Sequence, residues 1–273
     1  MKQHSPVFDF HCHVYPEPIA EKAAHAIGVF YENIEMHGDG RLTSTLEAGR
    51  KAGITHHLLC SAATSPAQIH SINSFIASCV ATDPEHLFGF GTLHPDSEDV
   101  GKDVEEILSL GLRGVKLHPD VQKFALDSPE SINMCRAVAG KLPLLVHAGD
   151  YRYHYSNPLQ IRNLCEALPD LTVIAAHLGG WTQWEEAVKL LPGIPGLYVD
   201  TSSALFALSP ERATEIIRCY GAGRTFFGVD SPMWDPTEEI ARFSRLGLTR
   251  EEREQILWKN AFAFLGLSPE KPE

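Results

Sequence analysis

The stretch VFDFHCH, residues 7–13, is a short β-prone run that ends in two histidines two positions apart. Seven further runs of this kind follow it, at Thr55 to Ser61, Leu87 to Leu93, Gly114 to His118, Pro143 to His147, Thr172 to His177, Leu197 to Thr201 and Thr225 to Asp230. Amphipathic, helix-like stretches such as Arg41 to Ala52 and Pro210 to Tyr220 lie between them. This alternation is typical of β-α-β units that build a parallel sheet.

One closed (β/α)8 barrel is the fold that this pattern favours. The chain has 273 residues, close to the roughly 250 residues of a typical barrel of this kind. An open doubly wound sheet is the alternative, but it would usually carry a Gly-rich phosphate loop after its first strand, and the sequence has none there. We therefore predict a single α/β barrel domain over residues 1–273.

The segment from Tyr15 to Gly40 is longer than an ordinary connection between a strand and its helix. Loops of that length in a compact domain are usually functional. We therefore expect a long loop after the first strand, at about residues 15–40, although its composition names no ligand.

Composition and charge exclude several classes of partner. The net charge of −12 argues against nucleic acid, because phosphate binding requires clustered Lys and Arg. No apolar stretch reaches the roughly 18 residues that span a bilayer. The first candidate ligand, His11, lies so near the start that we expect no removable leader and a cytoplasmic protein. The six cysteines are scattered without a C-x-x-C pair, so we expect them to be reduced.

Polar residues at the ends of the apolar runs are the main functional signal. His11 and His13 are two apart in a predicted strand, so both imidazoles should lie on one face. Alone, this motif is weak evidence, because both could be ordinary buried polar residues. The groups that end later runs are Lys116 with His118, His147, His177, Asp200 and Asp230. In a (β/α)8 enzyme the active site forms at this edge of the barrel.

Imidazole nitrogens and a carboxylate oxygen are the ligands of a catalytic divalent metal. We therefore predict a metal site at His11, His13, His147 and Asp230. Zn²⁺ is the expected ion, while Mn²⁺, Fe²⁺ or Co²⁺ could use the same ligands. For His147 or Asp230 alone, a hydrogen bond to neighbouring backbone is the alternative.

Five stretches resemble the amidohydrolase superfamily in register and order. They are FDFHCHVYP (8–16), GVKLHPD (114–120), LLVHAGD (144–150), VIAAHLGG (173–180) and FFGVDSP (226–232). They most resemble the branch that includes uncharacterised metal-dependent hydrolases and the aminocarboxymuconate semialdehyde decarboxylases. The resemblance implies that His11, His13, His147 and Asp230 hold the metal and that His177 acts on bound water or substrate. It also implies a homodimer or homotetramer.

The lysine at the end of the fourth run bears on the number of metals. In binuclear members of the superfamily a lysine at this position is carbamylated and bridges two ions. Here Lys116 is followed closely by His118, so we favour one divalent metal over a binuclear site with carbamylated Lys116. His118 is then a predicted substrate contact, and Lys116 a buried charge near the metal.

Two further residues are predicted to contact a small-molecule substrate. Arg152 follows the fifth run and could receive a carboxylate or carbonyl, although a solvated loop is an equal interpretation. Trp181 follows the sixth run and either walls the pocket or covers the rim of the barrel.

The predicted function is hydrolysis of an amide, lactone or ester-like bond by a metal-activated water. Asp230 would take the proton of that water, and His177 would orient the water or stabilise the oxyanion. The first alternative is non-oxidative decarboxylation of a conjugated or aromatic carboxylic acid on the same site. The second is a non-catalytic barrel that binds a small ligand, which would be expected to have lost one of the ligands.

Overall fold

A computed structural model describes residues 5–268, so both ends of the domain predicted over 1–273 lie outside the described residues. The strands are β1 (Phe8–His13), β2 (His56–Cys60), β3 (Leu87–Gly89), β4 (Gly91–Thr92), β5 (Val115–Leu117), β6 (Leu144–Val146), β7 (Val173–Ala175), β8 (Leu197–Asp200) and β9 (Thr225–Phe226). The α-helices are α1 (Ala20–Phe30), α2 (Leu42–Ala52), α3 (Ile69–Val80), α4 (Val100–Ser109), α5 (Pro119–Gln122), α6 (Pro129–Val138), α7 (Pro158–Ala167), α8 (Trp184–Leu190), α9 (Pro210–Tyr220), α10 (Pro236–Ser244), α11 (Arg250–Glu254) and α12 (Asn260–Leu265). Among them, none is long and apolar enough to cross a bilayer.

The strands form a closed parallel barrel. The third predicted run is divided at Phe90, so that β3 pairs with β2 while β4 pairs with β5. The ring closes between the first and last strands, because Phe10 N donates to Phe227 O at 2.8 Å and His13 N donates to Ser231 O at 2.7 Å. The eight predicted runs therefore correspond to the eight strand positions of a (β/α)8 barrel, and the predicted fold is confirmed.

Aromatic side chains fill the end of the barrel where the strands begin. Phe8, Phe10, Phe90 and Phe226 belong to one buried cluster, in which the Phe10 and Phe226 rings stack at 4.1 Å. Phe262 of α12 packs edge-on against Phe8 at 6.3 Å between ring centroids and covers this end from below. We call this cluster the aromatic floor, and it leaves only the opposite end of the barrel open to polar side chains.

A β-bulge in β1 sets the direction of the two histidines. The register of β1 against β2 shifts between Asp9 and Cys12. An extra residue in a strand interrupts the alternation of faces, so Phe10 of the floor and the next residue, His11, both point into the barrel. His11 and His13 still share a face, as predicted. Cys12 points away from them, and its Sγ donates to Asp9 Oδ2 at 2.7 Å.

The segment predicted as a loop at 15–40 contains a helix. Helix α1 occupies Ala20–Phe30, and the segment's ends are joined by a bond from Tyr15 N to Gly40 O at 2.9 Å. Near its end, Gly38 N also donates to Pro232 O at 2.8 Å, beside the last strand. These bonds hold α1 across the mouth of the barrel, directly above the ends of the strands.

Candidate metal centre

Three donor atoms converge at the open end of the barrel. His11 Nε2 lies 3.2 Å from His13 Nε2, and each of these nitrogens lies 3.5 Å from Asp230 Oδ1. Ligands about 2.0–2.1 Å from a tetrahedral metal are separated from one another by about 3.3 Å. The spacing therefore fits a single divalent ion, and the donor set suits one.

A buried carboxylate orients His11. Asp200 Oδ2 lies 2.9 Å from His11 Nδ1. Burial raises the pKa of Asp200, but the neighbouring His11 and the hydrogen bond from it outweigh burial and lower the pKa, so this carboxylate is ionised. An ionised carboxylate only accepts, so Nδ1 carries the proton and the lone pair of Nε2 faces His13 and Asp230. Sequence reasoning noted Asp200 at a strand end but gave it no role.

Asp230 presents its two oxygens to different partners. Oδ1 faces the histidine nitrogens, while Oδ2 accepts from Ser203 Oγ at 2.5 Å, and Ser203 Oγ in turn accepts from Trp234 Nε1 at 2.7 Å. Burial raises the pKa of Asp230, but the neighbouring histidines, His11 foremost, and the Ser203 hydrogen bond hold it well below the usual range. The carboxylate is therefore ionised, which is the form that binds metal.

The hydrogen bonds of His147 leave one of its nitrogens free. His177 Nδ1 lies 3.0 Å from the carbonyl oxygen of Ser202, so this nitrogen carries the proton and His177 Nε2 accepts. His147 Nδ1, 2.9 Å from that Nε2, must then donate. His147 Nε2 remains without a proton, and it is buried without a hydrogen-bond partner among the described residues, with Asp120 Oδ2 3.8 Å away. The side chains that could share a metal ion with His147 at this distance are His118 and Asp120, and His147 as the fourth ligand beside His11, His13 and Asp230 stays a prediction.

Burial keeps the imidazoles of the centre neutral. It lowers the pKa of His13, His118 and His147 well below the ordinary value, and that of His177 to about 4. Neutral imidazole is the form that donates a lone pair to a metal. These four histidines are therefore in the state that the predicted chemistry requires.

Two of the predicted residues adopt left-handed backbone conformations. The φ angle is 60° at His177 and 68° at Asp230. Such angles are uncommon outside glycine, cost about 1–3 kcal/mol and cluster at functional sites. At His177 the turn also interrupts the alternation of faces, since Ala176 already packs inside the barrel.

Lys116 lies where the sequence predicted a buried charge. Its side chain is fully buried, and its Nζ is 2.9 Å from His11 Nε2. Burial lowers the pKa of Lys116, while nearby acidic groups including Asp230 oppose that shift. This amine therefore lies directly beside His11, one of the three metal-donor residues.

Tyr31, at the end of α1, reaches into the centre and was missed by sequence reasoning. Its hydroxyl oxygen lies 2.9 Å from His118 Nε2 and 3.4 Å from His147 Nδ1. The His118 and His147 rings stack at 4.0 Å, so the three side chains form one layer. The only sequence signal for Tyr31 was the length of the segment at 15–40.

The cavity enclosed by these groups is small. Its volume is about 20 Å³, and its polar lining consists of His13, Tyr31, Lys116, His118, His147, His177 and Asp230 with Tyr15. A space of this size holds about one water molecule or ion. A substrate must therefore occupy additional space next to this cavity.

Arg152 and Trp181, both predicted substrate contacts, are outside the lining of that cavity. Arg152 forms a two-pronged ion pair with Asp150, with Nε to Oδ1 at 2.9 Å and Nη2 to Oδ2 at 2.7 Å, and its Nη1 donates to Phe30 O at 2.9 Å. Trp181 packs edge-on against Tyr31 at 5.0 Å. Both hold the end of α1 in place, and their contact with substrate stays a prediction.

Solved structures with the same fold include two decarboxylases. An uncharacterised TIM-barrel protein from Bordetella bronchiseptica is 20% identical, with a TM-score of 0.80 over 96% of this chain and 98% of that one. A 5-carboxyvanillate decarboxylase from Sphingomonas paucimobilis is 15% identical, with a TM-score of 0.74 over 97% and 100%. A dihydroxybenzoic acid decarboxylase from a Polaromonas species, with bound manganese, is 15% identical, with a TM-score of 0.71 over 96% and 97%. At these identities the likeness establishes the fold.

Sequence comparison gives the family. No curated protein is significantly similar to the chain. The Amidohydro_2 model, described as amidohydrolase, matches residues 8–267 and so spans the strand ends that carry all the candidate ligands. The resemblance seen in the five motifs is thereby confirmed, and the chain belongs to the amidohydrolase family.

Proposed function

We propose that the protein is a metal-dependent carboxy-lyase that removes carbon dioxide from an aromatic or conjugated carboxylic acid. The observation that carries the proposal is the buried surroundings of His11 Nε2, which lies 3.5 Å from the Asp230 carboxylate and 2.9 Å from the Lys116 amine. A divalent ion bound there, with a lysine amine 2.9 Å from one of its ligands, would create a positively charged site, shielded from water, for a substrate carboxylate.

The comparisons support this reading over the hydrolysis first predicted. The characterised neighbours described above act on aromatic acids, and one holds manganese. Hydrolysis of an amide, lactone or ester has no comparable support. Among the ions named as possible from the sequence, manganese is the one that a neighbour holds, and zinc stays a prediction.

We assign some of the chain's residues to metal binding and others to proton transfer. His11, His13 and Asp230 would hold the ion, with His147 as the predicted fourth ligand. When bound, the ion would orient and polarise the substrate carboxylate. Lys116 adds positive charge beside it. His118 and Tyr31 lie where they can hydrogen-bond substituents near the reacting carbon.

Decarboxylation breaks the bond between the carboxylate and its carbon, and that carbon keeps the electron pair and takes up a proton. Asp230 Oδ2 faces away from the two ligand histidines, so we assign it to relay this proton from a substrate hydroxyl or water. His177 Nδ1 lies 3.9 Å from Oδ2, and the bond to Ser202 fixes its tautomer. We therefore assign His177 to orient the groups around Asp230.

The proposal is tested by scoring two products from one screen. Protein depleted of metal and reloaded with Mn²⁺ or Zn²⁺ is incubated with aromatic and enoic acids, lactones, amides and esters. We expect carbon dioxide with an equal amount of the decarboxylated acid, only in the loaded protein. Hydrolysis products without carbon dioxide would restore the hydrolase interpretation, and ligand binding without either product would indicate a non-catalytic barrel.

A further inference from the structure

A second, larger pocket adjoins the metal centre between α1 and the start of α3. Its volume is about 420 Å³, within the range of about 300–1,000 Å³ typical of small-molecule sites. It shares His13, Tyr15, Ile27 and His118 with the small cavity of the centre. A single small molecule can therefore reach the metal centre and extend into this pocket.

Two apolar helix faces form its walls. Ile19, Ala23 and Phe30 lie along one face of α1 and its first turn, and Ile72 and Phe75 lie on the facing side of α3. The faces do not close on one another, and Ile19 is left 50% exposed. Apolar side chains that line a concave space without filling it mark a binding site.

Within residues 5–268, the lining of this pocket carries no Lys, Arg, Asp or Glu. Its polar side chains on the α3 side include Thr64 and Gln68, and these already bond to each other, with Thr64 Oγ1 donating to Gln68 Oε1 at 2.9 Å. A charged group placed among these side chains would therefore find no side chain of opposite charge to pair with. The pocket therefore selects against a second charge on the ligand.

We propose that this pocket binds the uncharged apolar part, alkyl or aryl, of a substrate whose single carboxylate reacts at the metal centre. The part of this inference that places the carboxylate at the metal centre rests on the proposed function. The part that places the apolar group rests on the pocket itself. The substrate class is then a monocarboxylic acid with an extended apolar substituent. The continuity with His13 and His118 favours this occupant over another protein surface, which cannot follow the pocket to its inner end.

The test measures affinity against chain length in the Mn²⁺-loaded wild-type protein. The probes are benzoate, 4-ethylbenzoate, 4-butylbenzoate and 4-hexylbenzoate, with terephthalate as the dianionic probe, and calorimetry gives each Kd. We expect Kd to fall by about threefold to fourfold for each added methylene until the pocket is full. Terephthalate should bind no more tightly than benzoate. A Kd independent of chain length would overturn the proposal.

A filled pocket provides the matched comparison. Ala26 is exposed on α1 and lines the pocket, so Ala26→Trp should fill it without disturbing the core. The control is Val29→Trp, since Val29 is 51% exposed on the same helix but outside the lining. We expect Ala26→Trp to abolish the dependence on chain length, while Val29→Trp behaves as wild type. Retention of the full length dependence in Ala26→Trp would place the alkyl chain elsewhere.

Neutral probes separate this inference from the proposed function. If the Kd of 4-alkylbenzamides depends on chain length and no benzoate binds, the pocket proposal is upheld and the proposed carboxylate site is wrong. If benzoates bind and no series depends on length, the proposed function survives and the pocket proposal fails. Light scattering tests the remaining alternative, in which a second copy of the chain covers the pocket. If the wild type is a dimer that Ala26→Trp dissociates, and Kd does not depend on chain length, this face is a subunit interface and the proposal is overturned.

Discussion

The two ends of the barrel interior are built from the same strands but carry opposite chemistry. In β1, Phe8 and Phe10 pack into the aromatic floor, while His11 and His13 reach the metal centre one bulge later. Leu145 likewise packs in the floor, two residues before His147. These two strands thus contribute packing at their starts and site residues at their ends.

The difference shows how one barrel divides stability from function. Burial of aromatic rings contributes favourable free energy without needing partners. Buried polar groups lose hydration and need compensation. At the metal end, His147 Nε2 and Asp120 Oδ1 find no hydrogen-bond partner in the part of the chain that the structure describes. The floor should therefore govern the free energy of unfolding, and the open end should govern metal binding and turnover.

The largest effect is expected where the donor atoms meet. Changing His11 and His13 together to Ala removes two of the three converging donors, so bound metal should fall from about one ion per chain to nearly none and activity should disappear. Elemental analysis of dialysed protein measures the metal, and circular dichroism checks folding. Full metal retention in a folded double variant would place the site elsewhere.

Asp230→Asn separates proton transfer from metal holding. The amide keeps an oxygen donor of similar shape, so some metal should remain, while turnover should fall by roughly 10²- to 10⁴-fold as for a missing general base. His177→Asn is the comparison, with metal content near wild type and only turnover reduced. Near-normal turnover of Asp230→Asn at full occupancy would transfer the proton role to His177.

Phe226→Ala probes the floor. Phe226 is fully buried and stacks on Phe10 at 4.1 Å, so its loss should destabilise the fold by about 3–5 kcal/mol, while each folded molecule keeps its metal. Phe206→Ala is the control, because that ring is 39% exposed. Thermal unfolding together with metal analysis gives both values. Metal loss from folded Phe226→Ala would show that the two ends are not independent.

The smallest effect is a pH dependence at the floor. His56 stacks near Phe8, and burial lowers its pKa to about 4 from the ordinary 6.5. The unfolded chain therefore binds more protons between these values, so the stabilising contribution is complete above about pH 6.5 and is lost as the pH falls toward 4. At pH 5 this amounts to about 1 kcal/mol after allowance for contact with water.

His56→Phe should remove that contribution. Its melting temperature should decrease less than that of the wild type between pH 7.5 and pH 5, with the two proteins compared in the same buffers. An equal decrease in both proteins would assign the acid sensitivity to other groups, such as the histidines of the metal end.

The eight strands, and most of the polar residues at their ends, could be predicted from the sequence. Strand faces alternate with period two and helix faces with period 3.6, so both are readable from local spacing. The pair His11 and His13, and the position of Asp230 after an apolar run, follow from such patterns. The family motifs then added their order along the chain.

The contacts among those residues depend on the tertiary structure. The bulge that turns both Phe10 and His11 inward depends on pairing with the neighbouring strands, and Tyr31 reaches His118 only because α1 lies across the mouth. Arg152 is engaged by Asp150, so a side chain that the sequence presented as available for substrate instead holds α1. Contacts between residues far apart in the chain, and the conformation of loops, leave no local period to read, and both are decided by packing.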